Sequence, residues 1–168
     1  MNEIETHPFR PFVPDNATIL ILGSFPGREQ TQMESVNDQW FYGAKRNQFW
    51  KIISTVYNTE LLCTEDKQQL FKRLGIGLTD ILLKVRRKNN SNLDDNLEII
   101  EYNDKIIKII LEKSKINSIF FTSKFVEKHF YKLFPDYKNA EYLPSPSPRY
   151  ARMTKIDKVN YYKSKLPK

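Results

Sequence analysis

The sequence predicts an α/β fold of three layers, in which helices cover both faces of a central, four-stranded, mainly parallel sheet. Short apolar runs alternate along the chain with longer segments of helical periodicity, which is the pattern of βαβ units. Of the 168 residues, 40% are hydrophobic and 13% aromatic, which is enough to build a core and too many for a disordered chain. We therefore expect a single domain over residues 1–168.

The first third of the chain predicts one strand, a long loop and two helices. Residues 17–23 (ATILILG) form an apolar run that ends in glycine, as expected of a buried, central strand. Residues 24–46 have no sustained period and predict a long loop. A helix is expected from Asn47, because the apolar residues that follow share one helical face: Phe49, Trp50, Ile53, Val56 and Tyr57. A second helix should begin at Thr64 and end at Gly75.

The middle of the chain predicts two more strands on either side of a helix. Residues 75–83 (GIGLTDILL) predict the second strand, which leads into a basic loop rich in asparagine. A long helix is expected over about residues 93–115, with these side chains facing inward: Leu97, Ile100, Ile107, Ile110 and Leu111. Residues 116–122 (INSIFFT) predict the third strand.

The last third completes the alternation. Ser123 is expected to cap a helix that Pro135 ends, and residues 140–143 predict the fourth strand. The final helix should open at Thr154, because Asp157 follows at the spacing of a capping box. In sheets of this kind ligands bind beyond the carboxyl ends of the strands. The loops after the first and fourth strands are therefore the first places to look for a site.

Positive charge is concentrated near the end of the chain. The protein has 27 Lys and Arg against 20 Asp and Glu, a formal charge of +7 and a pI near 9.4. Residues 149–168 contain seven basic side chains and one acidic one, and a smaller cluster comprises Lys84, Arg86, Arg87 and Lys88. These runs are either solvated helix faces or a surface for nucleic-acid phosphates. A membrane surface is disfavoured, because the tail has no apolar face opposite its lysines.

The amino terminus and the cysteine content indicate a cytoplasmic protein without a membrane partner. The single cysteine, Cys63, excludes an internal disulfide and any metal site built from several cysteines. The acidic, proline-rich amino terminus lacks the basic and apolar regions of a signal peptide. The longest strongly apolar stretch, residues 17–22, is too short to cross a bilayer.

Three segments have compositions that suit a binding site. Residues 23–27 (GSFPG) predict a tight turn that lets a ligand approach the backbone, although an ordinary turn is the simpler interpretation of this segment alone. It matches neither the Walker loop nor the dinucleotide fingerprint. Residues 143–152 (LPSPSPRYAR) predict a stiff loop whose hydroxyls and amides suit phosphate contacts, or else a proline-rich connector.

The third segment is residues 40–50 (WFYGAKRNQFW), in which five of eleven residues are aromatic. The simple interpretation makes Asn47 an N-cap and the two aromatic residues after it part of the core. Trp40, Phe41 and Tyr42 precede the helical pattern, so we expect them to be exposed and able to stack on a planar ring such as a nucleobase.

Taken together, these segments resemble the uracil-DNA glycosylase superfamily, most closely its deoxyinosine (hypoxanthine) and mismatch-specific branches. The first motif of that branch, Gly-Ser-x-Pro-Gly, then aromatic residues, then Arg-Asn-x-Phe-Trp, corresponds here to GSFPG, WFYGA and RNQFW. The last motif, Leu-Pro-Ser-x-Ser-Pro, corresponds to LPSPSP at residues 143–148. GIGLTDIL, which contains Asp80, and RRKNNSNLDDN resemble the segments between them. The resemblance covers about residues 19–153.

The resemblance implies an enzyme that flips a deaminated base, hypoxanthine or uracil, out of DNA and hydrolyses its N-glycosidic bond. It places the catalytic amide at Asn47, with Asp80 as a second catalytic candidate by position. The base pocket is expected to contain Gly23, Ser24, Phe25, Pro26, Gly27, Phe41 and Tyr42. DNA is expected to contact Ser145, Pro146, Ser147, Pro148, Arg149, Tyr150, Arg152 and Lys155. No metal or organic cofactor is implied, and we expect a monomer.

Two positions keep a second function open. Phe25 stands where uracil-directed branches have Asp, Glu or Asn, and Ser145 stands where many relatives have His or Asn. These departures leave room for a module that binds damaged or single-stranded DNA without cleaving it. A nucleotide- or flavin-binding protein is disfavoured by the missing phosphate loop. His129 is expected to be structural, and His7 to lie in an N-terminal arm without a role in the site.

Overall fold

A computed structural model describes residues 3–32 and 39–168 of the chain. In chain order its elements are β1 (Ile4–Thr6), β2 (Ile19–Gly23), α1 (Arg28–Thr31), α2 (Phe49–Tyr57), α3 (Thr64–Leu74), β3 (Ile76–Asp80), β4 (Leu82–Arg87), β5 (Leu97–Tyr102), α4 (Asp104–Lys113), β6 (Ser118–Phe121), α5 (Lys124–Leu133), β7 (Ala140–Tyr142) and α6 (Lys155–Lys165). Short 3₁₀ turns occupy Lys88–Asn90 and Asp94–Asn96.

The main sheet has four strands in the order β3-β2-β6-β7, and every neighbouring pair is parallel. Ile19 of β2 pairs with Ile76 of β3 on one side and with Ser118 of β6 on the other, so β2 is an inner strand. Leu20 and Leu22 are completely buried, which explains the uninterrupted apolar run. The predicted α/β class with a four-stranded parallel sheet is confirmed.

The side chains of β2 divide the hydrophobic core between the two faces of the sheet. Ile21 packs on one face with buried residues of α2, α3 and α6. Leu20 and Leu22 pack on the other face with residues of α4, α5, β4 and β5. Alternate residues of a strand point to opposite faces, so one apolar strand serves both cores. The sheet is therefore covered on both faces, and its parallel strands all end at the same edge.

A second, antiparallel sheet was not predicted. It has the order β1-β4-β5. The strand expected over residues 75–83 is two strands that break at Ile81, because β3 joins the parallel sheet while β4 pairs with β1 and β5. The antiparallel sheet brings the N-terminal segment, which contains β1, next to the end of β3.

The long helix expected over residues 93–115 is wrong. A 3₁₀ turn and β5 occupy its first part, and only α4 is helical. Leu97 and Ile99 pack into the core while Glu98 pairs with Arg86 of β4, which is the period of two of a strand. Ile100, expected to face inward, is 39% exposed. Pairing with β4 decides the conformation, because apolar spacing alone fits both a helix and a strand here.

Local signals at the other helix ends are confirmed. Gly75 follows α3 with φ of 66°, the left-handed conformation that glycine accepts most readily. The Ser123 hydroxyl accepts a hydrogen bond from the Val126 N–H at the start of α5. Thr154 and Asp157 form the predicted capping box of α6. Within residues 3–32 and 39–168, no helix has both the length and the apolar character required to cross a membrane.

Candidate active site

A cavity of about 970 Å³ opens beyond the carboxyl ends of β2, β3 and β6. Its wall contains Ser24 after β2, Asp80 at the end of β3 and Thr122 after β6. The loop at residues 24–27 and the loop at residues 145–150 also line it. The structure thus brings the separate sequence motifs together at the edge of the sheet where ligands of α/β proteins bind.

Tyr42 forms part of the cavity wall and has a fixed orientation. Its backbone is left-handed, with φ of 58°, and its ring stacks on Phe49 at a centroid distance of 4.1 Å. Its hydroxyl lies 3.2 Å from the Thr122 hydroxyl. Burial, helped by the charge of Asp80, raises the pKa of Tyr42 well above its usual range, so the phenol stays neutral. Tyr42 therefore offers the cavity an aromatic ring and a neutral hydroxyl.

Asp80 is held by His7, which the sequence did not assign to the site. Asp80 Oδ2 lies 2.8 Å from His7 Nε2, and the two side chains are 6% and 3% exposed. His7 Nδ1 lies 3.1 Å from the Phe9 nitrogen and 3.0 Å from the Phe9 carbonyl oxygen, and Nε2–H faces the carboxylate as its donor. No sequence signal indicates this contact, because the two residues are 73 positions apart.

Gly23 is required by the close approach of two side chains. A Cβ at this position would lie 2.7 Å from the Tyr42 hydroxyl and would collide with Asp80 Oδ1. The first glycine of the GSFPG motif thus leaves space for the carboxylate rather than shaping a turn of unusual dihedral angles. Phe25 packs with its ring perpendicular to His7, at a centroid distance of 5.5 Å, and also lines the cavity.

A second carboxylate, Asp94, lines the cavity and was not singled out as a site residue. Its Oδ1 accepts a hydrogen bond from the Ser24 hydroxyl at 2.7 Å, and its Oδ2 lies 3.5 Å from the Ser123 hydroxyl. Burial, opposed by the Ser24 hydrogen bond and reinforced by the charge of Asp80, raises the pKa of Asp94 to about 6. A group that titrates near neutral pH inside a cavity is suited to proton transfer.

Asn47 combines a structural hydrogen bond with a place in the cavity wall. Its Oδ1 accepts a hydrogen bond from the Phe49 N–H at 2.9 Å, at the start of α2. Only the oxygen of a carboxamide can accept, so this contact fixes the orientation of the side chain. The amide nitrogen makes no hydrogen bond to residues 3–32 or 39–168 and is available as a donor. The N-cap of α2 is Gln48, so the prediction that Asn47 is the N-cap is wrong by one residue, while the Asn47 side chain does line the cavity.

The loop at residues 145–150 is stiffened by hydrogen bonds to its own serines and anchored by contacts with the start of α2 and with α6. The Ser145 and Ser147 hydroxyls accept hydrogen bonds from the backbone two residues later. The Pro146 carbonyl accepts the Gln48 N–H at 2.9 Å, which ties the loop to the start of α2. Lys158 of α6 is 2% exposed and donates to the Ser147 carbonyl at 3.1 Å. Lys158 thus supports the loop and is not a phosphate contact.

Several predicted site residues lie elsewhere. Phe41 and Trp40 were expected to be exposed but are 1% and 6% exposed, and they pack in the core against Trp50. Phe41 is therefore not part of the base pocket, because the loop folds its aromatic side chains inward before α2 begins. Arg152 and Lys155 are exposed but do not line the cavity, whereas every residue of 145–150 does.

Three of the four side chains in the basic cluster at residues 84–88 form ion pairs. Lys84 pairs with Glu101 at 2.7 Å, Arg86 pairs with Glu98 at 3.0 Å, and the buried Arg87 pairs with Glu5 at 3.0 Å. Arg87 also donates to the Pro26 carbonyl at 3.1 Å, so it braces the GSFPG loop. Arg87 therefore belongs neither to a solvated helix face nor to a phosphate surface, the two alternatives that the sequence offered.

Comparisons with known proteins identify the family of the chain. A family model described as the uracil DNA glycosylase superfamily matches residues 10–166. Two curated relatives are named hypoxanthine DNA glycosylase: one from Methanosarcina barkeri is 30% identical over 86 residues, covering 50% of this chain and 51% of the relative. The other, from Methanosarcina acetivorans, is 31% identical over 98 residues, covering 57% and 58%. The chain thus spans about half the length of the curated relatives it matches.

A solved structure shares the fold over nearly the entire chain. A solution NMR structure from Methanosarcina acetivorans, described as a candidate uracil DNA glycosylase, superposes with a TM-score of 0.75 at 25% sequence identity. The superposition covers 97% of this chain and 96% of that one.

Proposed function

Because the chain belongs to the uracil DNA glycosylase superfamily, we propose that it is a DNA N-glycosylase that releases hypoxanthine from DNA. The observation that carries this proposal is the convergence of Asn47, Asp80 and the two motif loops on one cavity. The names of the two Methanosarcina relatives favour hypoxanthine as the base, with uracil as the alternative.

The target nucleotide must leave the helix to reach this cavity. Extrusion of a base from duplex DNA costs a few kcal/mol, and the cavity volume of about 970 Å³ accommodates a base with its sugar. Arg149 and Tyr150 lie at the mouth, where one of them would fill the space left in the base stack. The hydroxyls and amides around Ser145 and Ser147 would contact the flanking phosphates.

Bond cleavage separates charge between the sugar and the base. Water adds to the C1′ carbon while the C1′–N9 bond breaks; the bonding electrons leave with the base, and one proton of the water returns to it through solvent or a cavity group. Pre-positioned dipoles lower the barrier by stabilising this separation. Asn47 suits the role of a donor to the departing base, because its oxygen is already used by the Phe49 N–H. Asp80 suits the role of an acceptor that orients the water.

The donors and acceptors that the cavity presents support hypoxanthine as the base. Hypoxanthine offers an O6 acceptor and an N1–H donor on one edge, and acceptors at N3 and N7. The cavity supplies a carboxamide donor at Asn47, carboxylate acceptors at Asp80 and Asp94, and a ring at Phe25 that can pack against a purine. Uracil offers a similar edge on a smaller ring and would leave more of the cavity unfilled.

The test is a release assay on oligonucleotides containing deoxyinosine, deoxyuridine or deoxyxanthosine, in single- and double-stranded form. We expect release from deoxyinosine, and a loss of about 100-fold or more for Asn47→Ala, the magnitude typical of removing one donor to developing charge. Lys51→Ala, an exposed change on the same helix, is the control. Unchanged release by Asn47→Ala would remove that residue from the mechanism.

A second function is favoured by one observation: the apolar Phe25 ring occupies the cavity where other branches carry a polar side chain. A phenyl ring cannot orient a water, so a module that binds a flipped base without cleaving it fits the same cavity. Tight binding of deoxyinosine oligonucleotides without release of any base would favour this function over the first.

A further inference from the structure

A second cavity, of about 700 Å³, lies between β5 and α5 and has no part in the proposed reaction. We call it the α5 groove; its wall includes Tyr102 at the end of β5 and His129, Lys128 and Lys132 on α5. It adjoins the main cavity, because Asp94, Asp95, Lys124 and Phe125 line both. A strand that leaves the main cavity on this side therefore enters the groove.

Three lysines form a row along the groove. Lys124, Lys128 and Lys132 are four residues apart on α5, so they share one face and follow each other at about 6 Å along the helix axis. Lys124 is engaged, since it pairs with Glu127 at 3.2 Å and lies over the Tyr142 ring at 4.5 Å. Lys128 and Lys132 are exposed and form no ion pair within residues 3–32 and 39–168, and the Lys132 ammonium lies over the Tyr102 ring at 5.9 Å.

His129 adds a neutral hydrogen-bond donor between these lysines. Its Nδ1 lies 2.7 Å from the Tyr102 hydroxyl, and its ring packs on Phe125 at a centroid distance of 4.3 Å. Burial, followed by the charges of Lys128 and Lys132, lowers the pKa of His129, so the imidazole is neutral near pH 7. If the Tyr102 hydroxyl donates to Nδ1, the proton resides on Nε2, which can then donate to an anion.

The acidic residues limit where an anion can bind. Asp94 and Asp95 line the groove at its junction with the main cavity and repel phosphate there. The basic part is therefore the end that Lys128 and Lys132 occupy. This distribution of charge suits a DNA strand whose sugars lie at the junction and whose phosphates lie beside Lys128 and Lys132.

We propose that the α5 groove binds the phosphodiester backbone of the DNA strand that leaves the main cavity, with Lys128 and Lys132 contacting successive phosphates and His129 donating a hydrogen bond to one of them. The proposal rests on the proposed function, since that function places a DNA strand in the main cavity. A small free anion is the other source of phosphate, and the experiment separates the two sources.

The experiment measures the salt dependence of binding to an undamaged single-stranded oligonucleotide long enough to extend beyond both cavities. For Lys128→Gln/Lys132→Gln, the slope of log affinity against log salt concentration should fall in magnitude by about 1.4, or about 0.7 for each lost phosphate contact. Lys128→Arg/Lys132→Arg should keep the slope of the unmodified protein. Thermal unfolding of each variant verifies that it is folded.

The matched control is Lys72→Gln/Lys113→Gln, which removes the same charge from exposed positions on α3 and α4 that line neither cavity. A change in slope that is equal in the test and control variants would overturn the proposal. Displacement of the oligonucleotide by inorganic phosphate at constant ionic strength would also overturn it, in favour of a small-anion site. Base release is measured separately with the unmodified protein. An absence of release refutes the proposed activity, while the salt slopes still test whether the α5 groove binds phosphates.

Discussion

Asp80 and Asp94 line the same cavity, yet their partners differ in kind. Asp80 is held by the imidazole of His7, which is itself fixed by the backbone of Phe9. Within the described parts of the chain, the neutral hydroxyls of Ser24 and Ser123 are the groups that hold Asp94, and burial raises its pKa to about 6. The comparison shows that the partners of an aspartate determine its chemistry. Asp80 is fixed as a hydrogen-bond acceptor, whereas Asp94 titrates near neutral pH.

The largest effect is expected from Asp80→Asn. The change keeps the size of the side chain but replaces one carboxylate oxygen by an amide donor, which cannot accept a hydrogen bond from His7 or water. If Asp80 orients the attacking water, the single-turnover rate of base release should fall by about 100- to 10,000-fold. Asp136→Asn, an exposed change that lines neither cavity, is the comparison variant. Equal rates for Asp80→Asn and the unmodified protein would end the role proposed for Asp80.

His7→Leu tests whether the partner is what distinguishes Asp80. The variant leaves the buried Asp80 side chain without its main hydrogen-bond partner, which destabilises a protein by about 1–3 kcal/mol. We expect the free energy of unfolding in urea to fall by this amount, while Pro8→Ala, an exposed change at the next position, has little effect. A His7→Leu protein as stable as the unmodified one would mean that the pair contributes nothing to folding.

Asp94→Asn should have the opposite sign and depend on pH. The pKa of Asp94 is raised from 3.8 to about 6 in the folded state, so its ionisation disfavours folding. Below about pH 4 the carboxyl is protonated in both states and the variant should match the unmodified protein. The stability gained by the variant should grow between pH 4 and pH 6 and level off above, at about 1–3 kcal/mol. Unfolding curves of both proteins across this pH range provide the measurement. The assignment is contradicted if the stability of the variant relative to the unmodified protein is lower at pH 7 than at pH 4.

The smallest effect is expected from Ser24→Ala. The Ser24 hydroxyl donates to Asp94 and favours its charged form. Its removal should move the pKa of Asp94 further upward and reduce stability at pH 7 by about 0.5–1.5 kcal/mol, the net value of a hydrogen bond. The titration of the Asp94 carboxyl followed by NMR reports the shift directly. A downward shift would show that another group controls this carboxylate.

Elements with local signals were predictable from the sequence. The apolar run of β2 and the capping residues Ser123 and Thr154 depend on neighbours within a few positions, and their predictions are confirmed. The motif residues Ser24, Asn47 and Ser145 do line one cavity, as their places after strands and before a helix indicated. The roles proposed for them remain predictions, because geometry alone does not measure catalysis.

Contacts between distant segments were not predictable. The pairing of β5 with β4 overrides an apolar spacing that fits a helix equally well. His7 reaches Asp80 only because β1 adds to the antiparallel sheet, and a single sequence carries no sign of that pairing. Asp94 belongs to a segment that resembles a family motif, yet its burial and its serine partners are visible only in the folded chain. Phe41 is buried for a related reason: the loop folds back on α2.

The most direct test of the central claim is whether the cavity breaks a bond or only holds a base. The purified protein is incubated with an oligonucleotide that contains one deoxyinosine, and free hypoxanthine and alkali-labile sites are counted in the same sample. The proposed glycosylase should produce the two in equal amounts, and Asn47→Ala should produce neither at a comparable rate. Saturable binding of the oligonucleotide with no free base and no alkali-labile site would contradict the account.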